Sequence, residues 1–124
     1  VSHYDPAYLR GIECFNRHEY FEAHEVWEGV WRQTPGEARL FYQGLIQGAV
    51  ALYHLTNGNL HGAKKLYASC RTYLGPYRPS YLGLDVNEFL AQMARCFERL
   101  PETSQEPLAM PLEADRLPMI RLER

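Results

Sequence analysis

Apolar residues recur at three- and four-residue intervals along most of the chain, and the punctuation between these runs divides it into five predicted helices. Asp5-Pro6 supplies an N-cap and a first-turn proline for a helix running to about Arg17. A short break at His18-Glu19 leads into a second helix over 20–32. Thr34-Pro35-Gly36-Glu37 combines capping-box spacing with a proline at the first helical position, which predicts a third helix from about Pro35 to Leu55 or Thr56. Asn57-Gly58-Asn59 is a stop followed by a new N-cap, and a fourth helix over 60–74 turns Leu60, Ala63, Leu66, Tyr67, Cys70, Tyr73 and Leu74 inward. Gly75-Pro76 ends it, and 75–84 reads as a loop rich in Pro, Gly and Tyr. Asp85 with Glu88 repeats the capping pattern and opens a fifth helix over 86–100, with Val86, Phe89, Leu90, Met93, Phe97 and Leu100 on its apolar face.

No strand pattern competes, so the expected fold is all-α: two helical hairpins, 6–17/20–32 and 35–56/60–74, plus a C-terminal helix. A faint internal repeat aligns Phe21, Ala23 and Trp27 with Leu60, Gly62 and Leu66, as in stacked hairpins where small residues allow close packing. Beyond Pro101 the character changes. Pro107, Pro111 and Pro118 forbid a long helix, yet Leu108, Met110, Leu112, Leu117, Met119, Ile120 and Leu122 are too apolar for a solvated tail. The expected organisation is a helical domain over 1–100 and an extended Pro-rich arm over 101–124, packed on its own domain or on a partner. A homo-oligomer or protein partner held through that arm follows as an expectation.

The second helix carries the least ordinary chemistry. His24, Glu28 and Trp31 stand at i, i+4 and i+7 and so share one face, flanked by Tyr20, Ala23 and Trp27, while Glu22, Glu25, Gly29 and Arg32 point elsewhere. The third helix is apolar almost all round, the mark of a central element, except for a stripe of Gln43, Gln47 and His54 within about 40° on a helical wheel. Polar groups on two inward faces are expected to meet: His24, Glu28, Gln43, Gln47 and His54, roofed by Trp27 and Trp31. Two functions fit such a cluster. One is a satisfied buried network in a non-catalytic interaction or structural module. The other is a metal or small-ligand site, and so a possible metal-dependent hydrolase, with His24 and His54 as ligands and Glu28 as ligand or general base. The zincin pattern fails because position 28 is Glu rather than His, and no Glu-x-x-His run supports a di-iron site.

Composition narrows the setting without choosing between these. The chain of 124 residues is 46% hydrophobic and 23% charged with a net charge of -2, which suits one globular domain and gives no basic surface for nucleic acid. The most apolar stretch, 44–55, is too short to cross a bilayer and holds Gln47 and His54. The N-terminal residues lack the basic and apolar regions of a signal peptide. Cys14, Cys70 and Cys96 show no zinc spacing, and their odd number suits reduced thiols in a cytoplasmic protein. Neither GxSxG nor a P-loop occurs. Cys14 and His18 form an i, i+4 pair that reads as structural before nucleophilic, His3 and His61 read as surface residues, and Lys64, Lys65 and Arg71 make a small solvated basic face. Composition assigns no cofactor.

His24-x-x-x-Glu28-x-x-Trp31 resembles the HxxxExxW motif of the family called domain of unknown function 309. The segments 15–31 (FNRHEYFEAHEVWEGVW), 39–66 (RLFYQGLIQGAVALYHLTNGNLHGAKKL) and 83–86 (GLDV) are similar to that family's in the same order, so the resemblance covers about residues 8–95 and leaves out the arm. It implies an all-α fold of helical hairpins, no reaction or cofactor, and a motif of unassigned role at His24, Glu28 and Trp31. His18-Glu19 stands where a Gly or Asn would ease the turn between the first two helices.

Overall fold

A computed structural model describes residues 4–98 and 117–123. Its element order is α1 (Pro6–Asn16), α2 (Tyr20–Gln33), α3 (Glu37–Thr56), α4 (Leu60–Leu74), a 3-10 turn at Gly75–Tyr77, β1 (Ser80–Tyr81), β2 (Leu84–Asp85) and α5 (Val86–Phe97). Three of the caps are those expected: Asp5 accepts from the Ala7 N–H at 2.7 Å, Asn59 from Gly62 at 3.0 Å and Asp85 from Glu88 at 2.9 Å. The fourth is not. α3 begins at Glu37 behind Gly36, which has φ 75° and makes no side-chain cap, while the Thr34 hydroxyl turns back to donate to the Val30 carbonyl at 2.7 Å and closes α2 instead. Residues 35 and 36 are therefore linker.

Helices α1 to α4 pack consecutively, each on the next, so every hairpin of the chain is also a pair of neighbours in space. The α1–α2 turn is made by His18 at φ 64°, the left-handed region that the missing Gly would have relaxed. The His18 Nε2 and the Tyr20 hydroxyl behind it are buried without a hydrogen-bond partner, so this turn carries two further costs. Close approach in the second hairpin comes from Gly44 and Gly48 of α3. A Cβ on Gly44 would lie 2.6 Å from the Leu74 side chain, and one on Gly48 3.1 Å from the Cys70 sulfur. Gly62, which the repeat alignment offered as a packing glycine, instead makes room for its own cap, since a Cβ there would meet Asn59 at 2.7 Å.

The expected loop at 75–84 contains a little structure. Tyr77 donates its hydroxyl to the Glu37 carbonyl, and β1 and β2 pair antiparallel, Ser80 with Asp85 and Tyr81 with Leu84, around a turn with φ 48° at Leu82 and 76° at Gly83. Positive φ at both central residues matches the twist of a two-residue hairpin. Phe15, Trp27, Phe41, Leu45, Leu52, Leu55, Leu74 and Met93 fill the core. α5 closes one side of it, with Phe89 against Phe15 at 5.8 Å between ring centres and Phe97 stacked on Tyr67 at 4.4 Å. α5 is described as helix to Phe97, and its expected end at 100 lies outside the described residues, as does the arm from 101 to 116. Residues 117–123 run without helix or strand over the domain itself, burying Leu117, Pro118 and Ile120. Among the described residues no helix is long and apolar enough to cross a membrane.

Candidate functional site

The face shared by His24, Glu28 and Trp31 does turn toward α3. With Gln43, Ile46, Gln47 and Val50 of α3 and Leu66 of α4 these side chains line an open groove of about 300 Å³. Two rules of helix geometry produce it. The i, i+4, i+7 spacing lays three α2 side chains in a row, and Gln43 with Gln47, one turn apart, lies opposite them.

Within the groove His24 Nε2 lies 3.0 Å from one carboxylate oxygen of Glu28, and the other oxygen accepts from Arg32 at 2.6 Å. His24 Nδ1 lies 3.2 Å from the Phe21 carbonyl oxygen. Both neighbours of the imidazole are acceptors, so only the doubly protonated ring donates to both; a neutral ring satisfies one and leaves its other nitrogen a free lone pair. Trp31 carries the Arg39 guanidinium on its ring face, 4.0 Å from the centroid, a cation–π contact that fixes one end of the groove. At the other end Phe21 touches both the His24 ring (5.4 Å) and Tyr53 (5.5 Å). Phe21 and Tyr53 are 45% and 36% exposed, an aromatic pair displayed to solvent beside the site.

The predicted cluster is thus partly assembled and more open than expected. The side chains of His24 and Glu28 are 23% and 32% exposed, and among the described residues no polar or charged residue is buried. Trp27 does not roof the groove. It is fully buried on the α1 side, donating its indole N–H to the Tyr8 carbonyl at 3.2 Å across the space left by Gly11. His54 does not join either. It lies 3.4 Å from the Asn59 carboxamide and beside Tyr53, and it is not among the residues lining the groove. The trio His24, Glu28 and His54 therefore does not form, and among the described residues no three of His, Cys, Asp and Glu come together to hold a metal. His24 and Glu28 remain as a two-residue donor set, with the Gln43 and Gln47 amides across the groove.

The sequence reading missed Arg32, Arg39, Phe21 and Tyr53. The i, i+4 spacing of Glu28 and Arg32 was visible as an ion-pair signal, but the Arg39–Trp31 contact depends on how the α2–α3 linker turns. Cys14 is a poor nucleophile here. Burial first, then the carboxylates of Glu19, Glu13 and Glu22, push its thiol above the usual range, the reverse of what thiolate chemistry requires.

The family model described as "Domain of unknown function (DUF309)" matches residues 8–66, a span that contains every residue lining the groove. Uncharacterized protein YpuF of Bacillus subtilis (strain 168) is 34% identical over 119 residues, covering 92% of this chain and 68% of that protein. On the strength of this match and this relative, the chain belongs to the DUF309 family.

Proposed function

We propose that this protein is a non-catalytic binding module whose working surface is the half-open groove between α2 and α3. One observation carries the reading: His24, Glu28, Trp31, Gln43 and Gln47 line a single cavity open to solvent. Two glutamines line this cavity together with the apolar side chains of Ile46, Val50 and Leu66. Such a lining suits a ligand with both hydrogen-bonding and apolar surface. The His24–Glu28 pair, with side chains 23% and 32% exposed, still reaches solvent, and solvent-accessible pairs contribute about 0.2–1 kcal/mol. Three unpaired thiols suit a reducing, cytoplasmic setting.

A second reading is favoured by the Nδ1 contact. A histidine that donates Nδ1–H to a backbone carbonyl holds its Nε2 lone pair in a fixed direction, the arrangement found at metal-bound histidines. A cation seated between His24 and Glu28 would take its remaining ligands from the glutamine amides or from water. The two readings separate on elemental analysis and thermal unfolding of the wild-type chain and His24→Ala. The binding-module reading expects no stoichiometric metal and a melting temperature within about 4 °C of wild type, from about 1 kcal/mol of lost pairing. A near-stoichiometric metal removed by the substitution would establish the metal site. A drop beyond about 10 °C without metal would return His24 to the role of structural glue.

A further inference from the structure

A different part of the molecule treats its own chain as a ligand. Asn16, at the end of α1, donates its carboxamide N–H to the Ile120 carbonyl at 2.8 Å and accepts the Ile120 N–H at 2.8 Å. Gln92 of α5 does the same to the adjacent residue, donating to the Met119 carbonyl at 3.1 Å and accepting the Met119 N–H at 2.9 Å. The Glu123 N–H then donates to the Gly83 carbonyl at 2.7 Å, and the Tyr4 hydroxyl donates to the Glu123 carbonyl at 3.1 Å. A carboxamide sets an N–H and its oxygen side by side in one plane, so it pairs with one residue's C=O and N–H much as a neighbouring strand would, and it reads no side chain. Selection comes from the apolar anchors: Leu117, Pro118 and Ile120 are buried, while Met119 and Arg121 face outward.

Every group that receives this segment precedes residue 99, and residues 99–116 connect the two. That connection can reach about 60 Å when extended, so the same bonds form whichever copy supplies residues 117–123. A hollow of about 530 Å³ beside the seated segment, between it and α5, leaves the site wider than its occupant. We propose that the cleft framed by Asn16, Gln92 and the β1–β2 turn is a peptide-docking site that accepts residues 117–123 of a second copy, giving a tail-exchanged pair. It is independent of the His24 groove.

The attached segment competes at an effective concentration on the order of millimolar, so the site is best tested after weakening that competitor. The full chain carrying Ile120→Ser loses the buried anchor and keeps the cleft. A labelled peptide of residues 117–124 should bind this variant saturably and at least tenfold more tightly than it binds wild type, and adding Asn16→Ala should abolish the binding. Wild-type chain should show a dimer in sedimentation velocity as its concentration approaches millimolar, and an excess of the free 117–124 peptide should disperse it. If Ile120→Ser loses helicity by circular dichroism, Met119→Pro serves in its place: it deletes the N–H that Gln92 accepts while changing a side chain 39% exposed. A folded variant of either kind that takes up no peptide, or a wild-type chain that stays monomeric throughout, overturns the proposal.

Discussion

Gly11→Ala tests the central packing decision of this fold, the burial of Trp27 against α1. A Cβ on Gly11 would stand 2.1 Å from the indole Nε1, 2.4 Å from Cδ1 and 2.6 Å from Cε2. Non-bonded heavy atoms settle at about 3.5 Å, so the ring has to retreat by more than about 1 Å. It has nowhere to go, being fully buried, with its N–H donated to the Tyr8 carbonyl one turn before Gly11 and its ring tilted on Phe15 at 5.9 Å between centres. Overpacking of this kind costs about 1–3 kcal/mol, and breaking the indole hydrogen bond adds about 1 kcal/mol. Alanine returns about 1 kcal/mol of helix propensity. The net expectation is a loss of about 2 kcal/mol, which for a domain of this length lowers the melting temperature by about 8 °C. Gly29→Ala is the matched control: the same change in the middle of a helix, where a Cβ would meet nothing within 4 Å. It should raise the melting temperature by about 2–4 °C through propensity alone. Thermal unfolding followed by far-ultraviolet circular dichroism reads both, and tryptophan emission reports the displaced indole. A Gly11→Ala protein as stable as wild type would mean that Trp27 does not lie over α1, and the assignment of α2's two faces would fall with it.

Two further outcomes follow from the caps and thiols. Removing the Asp85 carboxylate in Asp85→Ala leaves the Glu88 N–H without its acceptor and should cost about 1 kcal/mol in urea unfolding, whereas Asp85→Asn should lose little; equal losses would show that the cap contributes nothing. Burial pushes the Cys70 thiol up to about 12 and the Cys96 thiol up to about 11. An unfolded thiol ionises near 9 while the folded one keeps its proton, so the folded state binds more protons above that pH and stability falls as pH rises. The urea midpoint should therefore hold steady from pH 7 to about 8.5 and decline through pH 9–11, less steeply in Cys70→Ala; a midpoint constant to pH 10.5 would contradict the burial of both thiols.

Much of this architecture could be read from local chemistry, and the failures cluster where tertiary geometry decides. Asp5, Asn59 and Asp85 cap as their spacing implies, because an N-cap needs only its own next turn. Thr34 looked like a cap by the same rule, but the Pro35-Gly36 pair let the chain leave α2 before starting α3, and the hydroxyl found a nearer acceptor in Val30. The site divides in the same way. Helical spacing alone puts His24, Glu28 and Trp31 on one face, and they line one groove. Trp27 lies about 60° around the wheel from His24, and no periodicity tells where the surface owed to α1 ends and the surface owed to α3 begins. Gly11 held that information, as a small residue opposite a large one, but only once the register of α1 on α2 is known. His54 shares the stripe of Gln43 and Gln47, yet a stripe does not say which neighbour each side chain turns to, and the partner of His54 is Asn59 in the following cap.

The contact between Asn16 and Ile120 joins residues 104 positions apart, whereas α1, α2, α3 and α4 each pack on a sequence neighbour. Chains are synthesised from the N terminus at about 5–20 residues per second, so Asn16 waits on the order of ten seconds for the backbone it will hold. Neighbouring helices close short loops and settle in far less time than that. During synthesis, then, α1 to α4 have time to settle while the Asn16 carboxamide still faces water, whereas Gln92, only 27 positions before Met119, follows much closer to the segment it holds. The cleft is therefore completed last, within seconds of the arrival of its own segment, and the cis contact has a head start that a second copy meets only after release.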